Sequence, residues 1–179
     1  DGLLETSRAV KTKLDVPIAL GYSNVGKVLE SKSPYFKKGD LVVSNSSHSD
    51  INIANHSLVA KIPSNVSNEN AVFTVLGSIS MHGIRLAKPQ IGEKVLVVGL
   101  GLIGLITCKL LQANGCYVIA LDIDKERCKK ASKMANLVIN STDNEFFYDL
   151  IQKNTNSKGV DKTIITAKSK DANLMNKLI

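Results

Sequence analysis

The chain has 179 residues, 44% of them hydrophobic and 22% charged, which excludes an intrinsically disordered segment and leaves room for one large domain or two small ones with cores of their own. Tryptophan is absent and aromatic residues make up 4%, too few for a platform that stacks nucleic-acid bases. The net charge of +7 raises a polyanionic partner, but Lys and Arg are spread along the whole sequence, and their densest run, Lys125 to Lys133, reads as the solvated face of a helix.

Residues 17 to 62 have β character. Apolar and β-branched residues predict strands over Pro17 to Leu20, Val25 to Leu29, Leu41 to Val43 and Ile51 to Ile62, with Gly, Ser, Asn and Asp between them. Gly39-Asp40 is a turn signal before Leu41, and Ser44 to Asp50 reads as a polar loop. Ser67 is a candidate helix cap, with Glu69 favouring the positive end of the helix dipole; the helix is expected to run to about Ala87, where Pro89 stops it.

After Pro89 the pattern changes to strands alternating with helices: strand 94–98, helix 102–113, strand 117–121, helix 124–134, strand 137–139, helix 143–153, strand 162–166, and a last helix over Asp171 to Ile179. Such alternation predicts an α/β fold whose parallel sheet is doubly wound, with helices on both faces. A domain boundary is expected between Lys88 and Gly92, giving units over 1–90 and 91–179.

The first of these strands, Lys94 to Val98, runs straight into Gly99-Leu100-Gly101-Leu102-Ile103-Gly104. This is the G-x-G-x-x-G pattern of a dinucleotide turn. Gly99 permits the tight strand-to-helix turn, Gly101 lets the backbone approach a pyrophosphate, and Gly104 lets the helix pack against the strand. The next apolar strand ends at Asp122, close to the spacing of about 20 residues that sets a carboxylate on the adenosine ribose. That carboxylate favours NAD over NADP, because it accepts from both ribose hydroxyls and repels a 2′-phosphate. Asp124 is the expected cap of the following helix. A complete sheet of this kind has six strands, and about four are readable here.

Cys108, Cys116 and Cys128 form no C-x-x-C pair and read as buried free thiols in a reducing compartment. His48, His56 and His82 show no metal spacing and read as ordinary surface or satisfied histidines. No signal peptide is visible at Asp1-Gly2-Leu3-Leu4, and the run Val95 to Ile106 is too short and glycine-rich to span a bilayer, so a cytoplasmic protein is expected.

Several strings converge on one family. Gly21-Tyr22-Ser23-Asn24-Val25-Gly26-Lys27-Val28 resembles the G-H-E-x-x-G-x-V segment of medium-chain, alcohol dehydrogenase-like enzymes. Phe36-Lys37-Lys38-Gly39-Asp40-Leu41-Val42 resembles their F-x-x-G-D-x-V hairpin, and Gly92 to Gly99 and Val118 to Arg127 resemble the first two strands of their coenzyme domain. The resemblance implies a partial GroES-like substrate domain with a connecting helix over 1–90 and a partial Rossmann NAD-binding domain over 91–179. It implies that Arg127 stands where a basic residue contacts the ribose and that Ala167 lies near the nicotinamide ribose. The cofactor set is therefore Gly99, Leu100, Gly101, Leu102, Ile103, Gly104, Asp122, Arg127 and Ala167.

A narrower likeness is carried by Asp1 to Leu4, Ala9 to Asp15, Leu20 to Tyr22 and Ala71 to Ser78. These resemble the dehydrogenase half of two-domain oxidoreductases fused to a glucose-fructose oxidoreductase or inositol dehydrogenase-type unit, associated with surface-polysaccharide sugars. On that likeness the 179 residues are an internal fragment, inactive by themselves, whose partners are a small-molecule substrate, further domains of the same polypeptide and a second copy, with neither nucleic acid nor membrane.

The family's zinc pattern is departed from. Tyr22 stands at the position of the zinc-binding His, Ser23 at the Glu, and about Leu76 at the second Cys; a phenol and an aliphatic chain cannot make the N/S site zinc prefers, so no zinc is expected. A carbonyl reduced without a metal needs another donor. Tyr22 is the candidate, the alternative being a tyrosine that packs the cleft wall with its hydroxyl bonded to backbone. Ser23 and Thr74 are candidates for hydrogen-bonding substrate, or else solvated groove residues. The functional expectation is an NAD(H)-dependent, zinc-independent oxidoreductase unit acting on a carbonyl or alcohol such as a sugar or nucleotide sugar. The alternatives are a dinucleotide-binding scaffold without its own chemistry and, on net charge alone, a nucleic-acid-binding protein.

Overall fold

The computed structural model describes residues 20–140 and 144–167; the start of the first expected strand (residues 17–19) and the C-terminal helix (171–179) lie outside them. The chain divides into two compact units, Asp1–Val75 and Leu76–Ile179.

In the first unit three short strands, β1 (Asn24–Lys27), β2 (Leu41–Ser44) and β3 (Val59–Lys61), form an antiparallel sheet in sequence order. Val25 pairs with Val43, and Val43 in turn with Ala60. Val28 closes the Gly39-Asp40 turn, its N–H donating to the Asp40 carbonyl at 2.9 Å and its carbonyl accepting from the Gly39 N–H at 2.8 Å. Asp40 accepts from the Lys37 N–H at 2.9 Å and meets the Lys61 ammonium at 2.8 Å. The Lys61 bond, helped by Lys37, holds the Asp40 carboxyl below its ordinary value.

The long strand expected from Ile51 is not formed. Only Val59–Lys61 is extended, preceded by a single 3-10 turn over His56–Leu58, and Ile51 and Ile53 are exposed. The cause is local. The Asn52 amide donates to the Ser47 carbonyl at 3.0 Å, while the Ser47 and Ser49 hydroxyls donate to its Oδ1 at 3.2 and 3.0 Å. Side chains that bond nearby backbone in this way offer the segment an alternative to a sheet ladder.

Ser67 caps α1 (Asn68–Ala71), its hydroxyl accepting from the Asn70 N–H. The expected single helix is broken at Val72–Phe73 and resumes as α2 (Thr74–Ala87). The Val72 carbonyl, which a continuous helix would use for its ladder, accepts the Ser23 hydroxyl instead.

In the second unit, β4 (Lys94–Val98), β5 (Tyr117–Asp122), β6 (Leu137–Asn140) and β7 (Lys162–Ile165) form a parallel sheet in the order β6-β5-β4-β7. The connecting helices are α3 (Leu102–Ala113), α4 (Lys125–Ala131) and α5 (Asn144–Thr155). Val95, Leu96, Val97, Val118, Ile119 and Ala120 are wholly buried because both faces are covered. The two-residue period of the strands sorts them: Val95, Val97, Val118 and Ala120 pack with Ile84, Cys108, Leu111 and Ala131, while Leu96, Val98, Ile119 and Leu121 pack with Ile139, Phe147 and Ile151. The parallel register Val98↔Leu121 and Val98↔Ile165 brings the ends of β4, β5 and β7 to one edge of the sheet. Among the described residues no helix is long and apolar enough to cross a membrane.

Candidate functional site

The end of β4 is where the chain turns. Gly99 has φ +91°, a left-handed conformation that a side chain disfavours, and a Cβ built on it would come within 2.7–2.9 Å of Ala167. Gly101 then serves as the N-cap of α3 with extended backbone. A Cβ on Gly101 would meet nothing within 4 Å, so its outer side is open. The cap has no side chain and the first turn of α3 has no acidic residue, which leaves its N–H groups and the positive end of its dipole for an anion. Gly104 is constrained differently: a Cβ there would lie 1.9 Å from the Gly99 carbonyl oxygen and 2.8 Å from the Thr166 hydroxyl. The helix and the turn touch through bare backbone.

Asp122 ends β5 beside this turn and is 7% exposed. Its Oδ2 accepts from the Leu100 N–H at 2.6 Å and its Oδ1 from the Asp124 N–H at 2.8 Å. Each carboxylate oxygen keeps a second lone pair, enough for two ribose hydroxyls. The main chain of Asp122 is held as well, its carbonyl accepting from the Asn140 amide at 3.0 Å and the Cys128 thiol at 3.4 Å. Arg127 reaches toward both acids, 3.8 Å from Asp122 Oδ2 and 3.9 Å from Asp124 Oδ2, with its own side chain half exposed. Asp124 caps α4, accepting from the Glu126 and Arg127 N–H groups.

Gly99 to Gly104, Asp122, Arg127 and Ala167 are thus brought to one end of the parallel sheet. Thr166 joins them without a local signal in the sequence: its hydroxyl donates to the Gly99 carbonyl at 2.7 Å, across 67 residues. Asn140 was likewise invisible from spacing. The residues present suit a dinucleotide: an open glycine, uncapped helix donors and a buried carboxylate with free lone pairs.

Tyr22, Ser23 and Thr74 lie in the first unit. Tyr22 is 53% exposed. Ser23 is half-buried and its hydroxyl donates to the Val72 carbonyl, so its proton is engaged two residues before Thr74, the exposed first residue of α2. His48, read as ordinary from its surroundings in sequence, has its ring against Gly21: a Cβ on that glycine, whose φ is +67°, would lie 2.2–2.4 Å from three ring atoms. The His48 N–H also donates to the Leu20 carbonyl at 2.6 Å, which fixes the backbone next to Tyr22. Cys108, Cys116 and Cys128 are free and buried. Burial pushes the Cys108 thiol up to about 12 and raises that of Cys128. Among the described residues no three His, Cys, Asp or Glu side chains come together as a metal site.

A parallel sheet in the order β6-β5-β4-β7, with a glycine turn after β4 and an acid at the end of β5, defines a Rossmann-type nucleotide-binding fold. The zinc-binding dehydrogenase family model matches residues 103–175. D-guloside 3-dehydrogenase from Escherichia coli is 32% identical over 160 residues, covering 86% of this chain and 45% of that protein. NADP-dependent isopropanol dehydrogenase from Clostridium beijerinckii is 33% identical over 110 residues, 60% of this chain and 31% of the relative. The chain spans less than half the length of these two relatives. Among solved structures, a mycobacterial protein complexed with NADPH matches with a TM-score of 0.71 at 27% identity, over 83% of this chain and 49% of its own. The alcohol dehydrogenase TADH from Thermus sp. ATN1 shares the fold, with a TM-score of 0.79 at 20% identity over 92% and 60% of the two chains. The chain belongs to the medium-chain dehydrogenase/reductase superfamily.

Proposed function

We propose that this chain is part of an NAD(H)-dependent, zinc-independent oxidoreductase that interconverts a carbonyl and an alcohol on a sugar or sugar derivative. The observation that carries the reading is Asp122: a buried carboxylate, held by two backbone N–H groups at the end of β5, with lone pairs left for the two hydroxyls of an adenosine ribose. The same charge repels a 2′-phosphate, and Arg127 is too distant at 3.8 Å to neutralise it by a direct hydrogen bond. The NADP and NADPH in the names of two similar proteins belong to those proteins; for this chain the carboxylate favours NAD. The sugar substrate class takes support from the guloside dehydrogenase relative.

When bound, the nicotinamide supplies or takes up the hydride. The chain's own contribution to reduction is to stabilise the carbonyl oxygen and give it a proton. By the family resemblance Tyr22 occupies the position of a zinc ligand, and a phenol hydroxyl at that position can donate to the oxygen as negative charge develops. In the reverse direction it takes up the alcohol proton. By the same resemblance Leu76 stands at another zinc-ligand position, and neither an aliphatic side chain nor a phenol is a ligand that zinc prefers. The three buried free thiols agree with a reducing, cytoplasmic setting.

A second reading, a dinucleotide-binding scaffold that serves another domain of the same polypeptide, is favoured by Ser23, whose hydroxyl proton is engaged by Val72. One experiment separates the two. In the full-length protein, Tyr22→Phe is expected to lower kcat by about 100-fold or more, the usual range for losing an acid–base group, with NADH affinity unchanged and wild-type turnover insensitive to a chelator. Turnover that survives Tyr22→Phe with NADH binding intact would favour the scaffold, and loss of turnover to a chelator would return the reaction to a metal.

A further inference from the structure

The peptide between Gly99 and Leu100 is held at both ends. Its carbonyl accepts the Thr166 hydroxyl at 2.7 Å, and its N–H donates to Asp122 Oδ2 at 2.6 Å. In a trans peptide these groups point in opposite directions, so the two partners must stand on opposite sides. They do so because β4 lies between β5, which ends in Asp122, and β7, which is followed by Thr166. The Thr166 hydroxyl also lies 3.2 Å from the Val98 carbonyl, but it has one proton, and the shorter contact takes it. The Thr166 N–H meanwhile donates to that Val98 carbonyl at 2.8 Å, fixing the Thr166 backbone against β4. The absence of a side chain at Gly104 is what lets the Gly99 carbonyl and the Thr166 hydroxyl approach, since a Cβ there would intrude on both.

We infer that Thr166 is a positioning residue for the dinucleotide: by locking the Gly99–Leu100 peptide it presets both the phosphate turn and the Asp122 carboxylate. This rests on the dinucleotide reading given above. Were the peptide to flip, the Gly99 carbonyl would leave Thr166 and the Leu100 N–H would leave Asp122 together. The turn would then set its carbonyl oxygen against the Asp122 carboxylate, which would lose one of the two N–H groups that orient it. Either change penalises a ligand that bridges the turn and the acid. The residues contacting the ligand are the turn and Asp122; Thr166 acts through them, by removing a conformation the ligand would otherwise have to reverse.

The test compares Thr166→Val, which keeps the shape and removes the hydroxyl, with Thr166→Ser, which keeps the hydroxyl, in the full-length protein. Calorimetric titration with NADH and with ADP-ribose should show Thr166→Val weakened about 3- to 10-fold, the span of one hydrogen bond, and Thr166→Ser close to wild type. Combining Thr166→Val with Asp122→Asn should weaken binding little beyond Asp122→Asn alone, because both changes release the same peptide. Without ligand, exchange of the Leu100 amide proton should quicken in Thr166→Val and not in Thr166→Ser. Wild-type affinity in Thr166→Val, equal losses in Val and Ser, or an unchanged Leu100 exchange rate would overturn the inference. Failure of the wild-type protein to bind either ligand would instead overturn the dinucleotide reading beneath it, and the exchange measurement would still decide whether the peptide is locked.

Discussion

Gly101 and Gly104 share one turn, yet substitution at each tests a different property. Gly104→Ala would drive a Cβ to 1.9 Å from the Gly99 carbonyl oxygen, a backbone atom that cannot move aside without opening the turn. A loss of about 3 kcal/mol or more, at the severe end of overpacking, is expected in urea unfolding. Gly101 has φ −70° and open space around it, so Gly101→Ala should change stability by no more than about 1 kcal/mol. Its methyl group would nevertheless stand where phosphates must approach, and NADH affinity should fall about ten-fold or more. Equal stability losses in the two variants would contradict the separate roles. Both glycines were legible in the sequence because the turn is contiguous. Thr166 was not, because its partner is 67 residues away and no spacing rule links them. His48 escaped for the same reason, its ring meeting Gly21 only after the polar loop folds back.

At the level of elements, the strands and helices from β4 to β7 were readable to within about three residues, the largest difference being α4, expected over 124–134 and formed over Lys125–Ala131. Long apolar runs buried on both faces leave the strands no ambiguity, and Gly99 and Asp124 punctuate them. The first unit was harder. Ile51 and Ile53 have the composition of a strand, but hydrogen bonds among Ser47, Ser49 and Asn52 turn the chain there. The break between α1 and α2, by contrast, is non-local, since it follows the Ser23 hydroxyl's claim on the Val72 carbonyl. One element carries its own prediction. Asp124 caps α4 through the Glu126 and Arg127 N–H groups, while its contact with Asp122 runs through its backbone N–H. Asp124→Ala should therefore cost about 1 kcal/mol in unfolding experiments and leave NADH affinity within about two-fold. A large loss of affinity would show that the Asp124 side chain serves the ligand directly.

For the molecule as a whole, the sequence's change of rhythm at Pro89 announced a β part followed by a parallel α/β part, and the structure has an antiparallel sheet and then a parallel one. Their division into compact units falls between Val75 and Leu76. The charge of +7 has its densest run at α4, where Lys125, Arg127, Lys129 and Lys130 are exposed around a helix whose start faces the ribose acid. Such a surface raises the local concentration of any anionic ligand, so charge alone does not choose between one dinucleotide and another. On the proposed reading that choice falls to Asp122. Titrating the full-length protein with NADH and NADPH at fixed ionic strength tests it most directly. NADH should bind at least about ten-fold more tightly than NADPH, and Asp122→Asn should reduce that ratio by weakening NADH while relieving the repulsion of the 2′-phosphate. Tighter binding of NADPH, or a ratio unmoved by Asp122→Asn, would contradict the assignment.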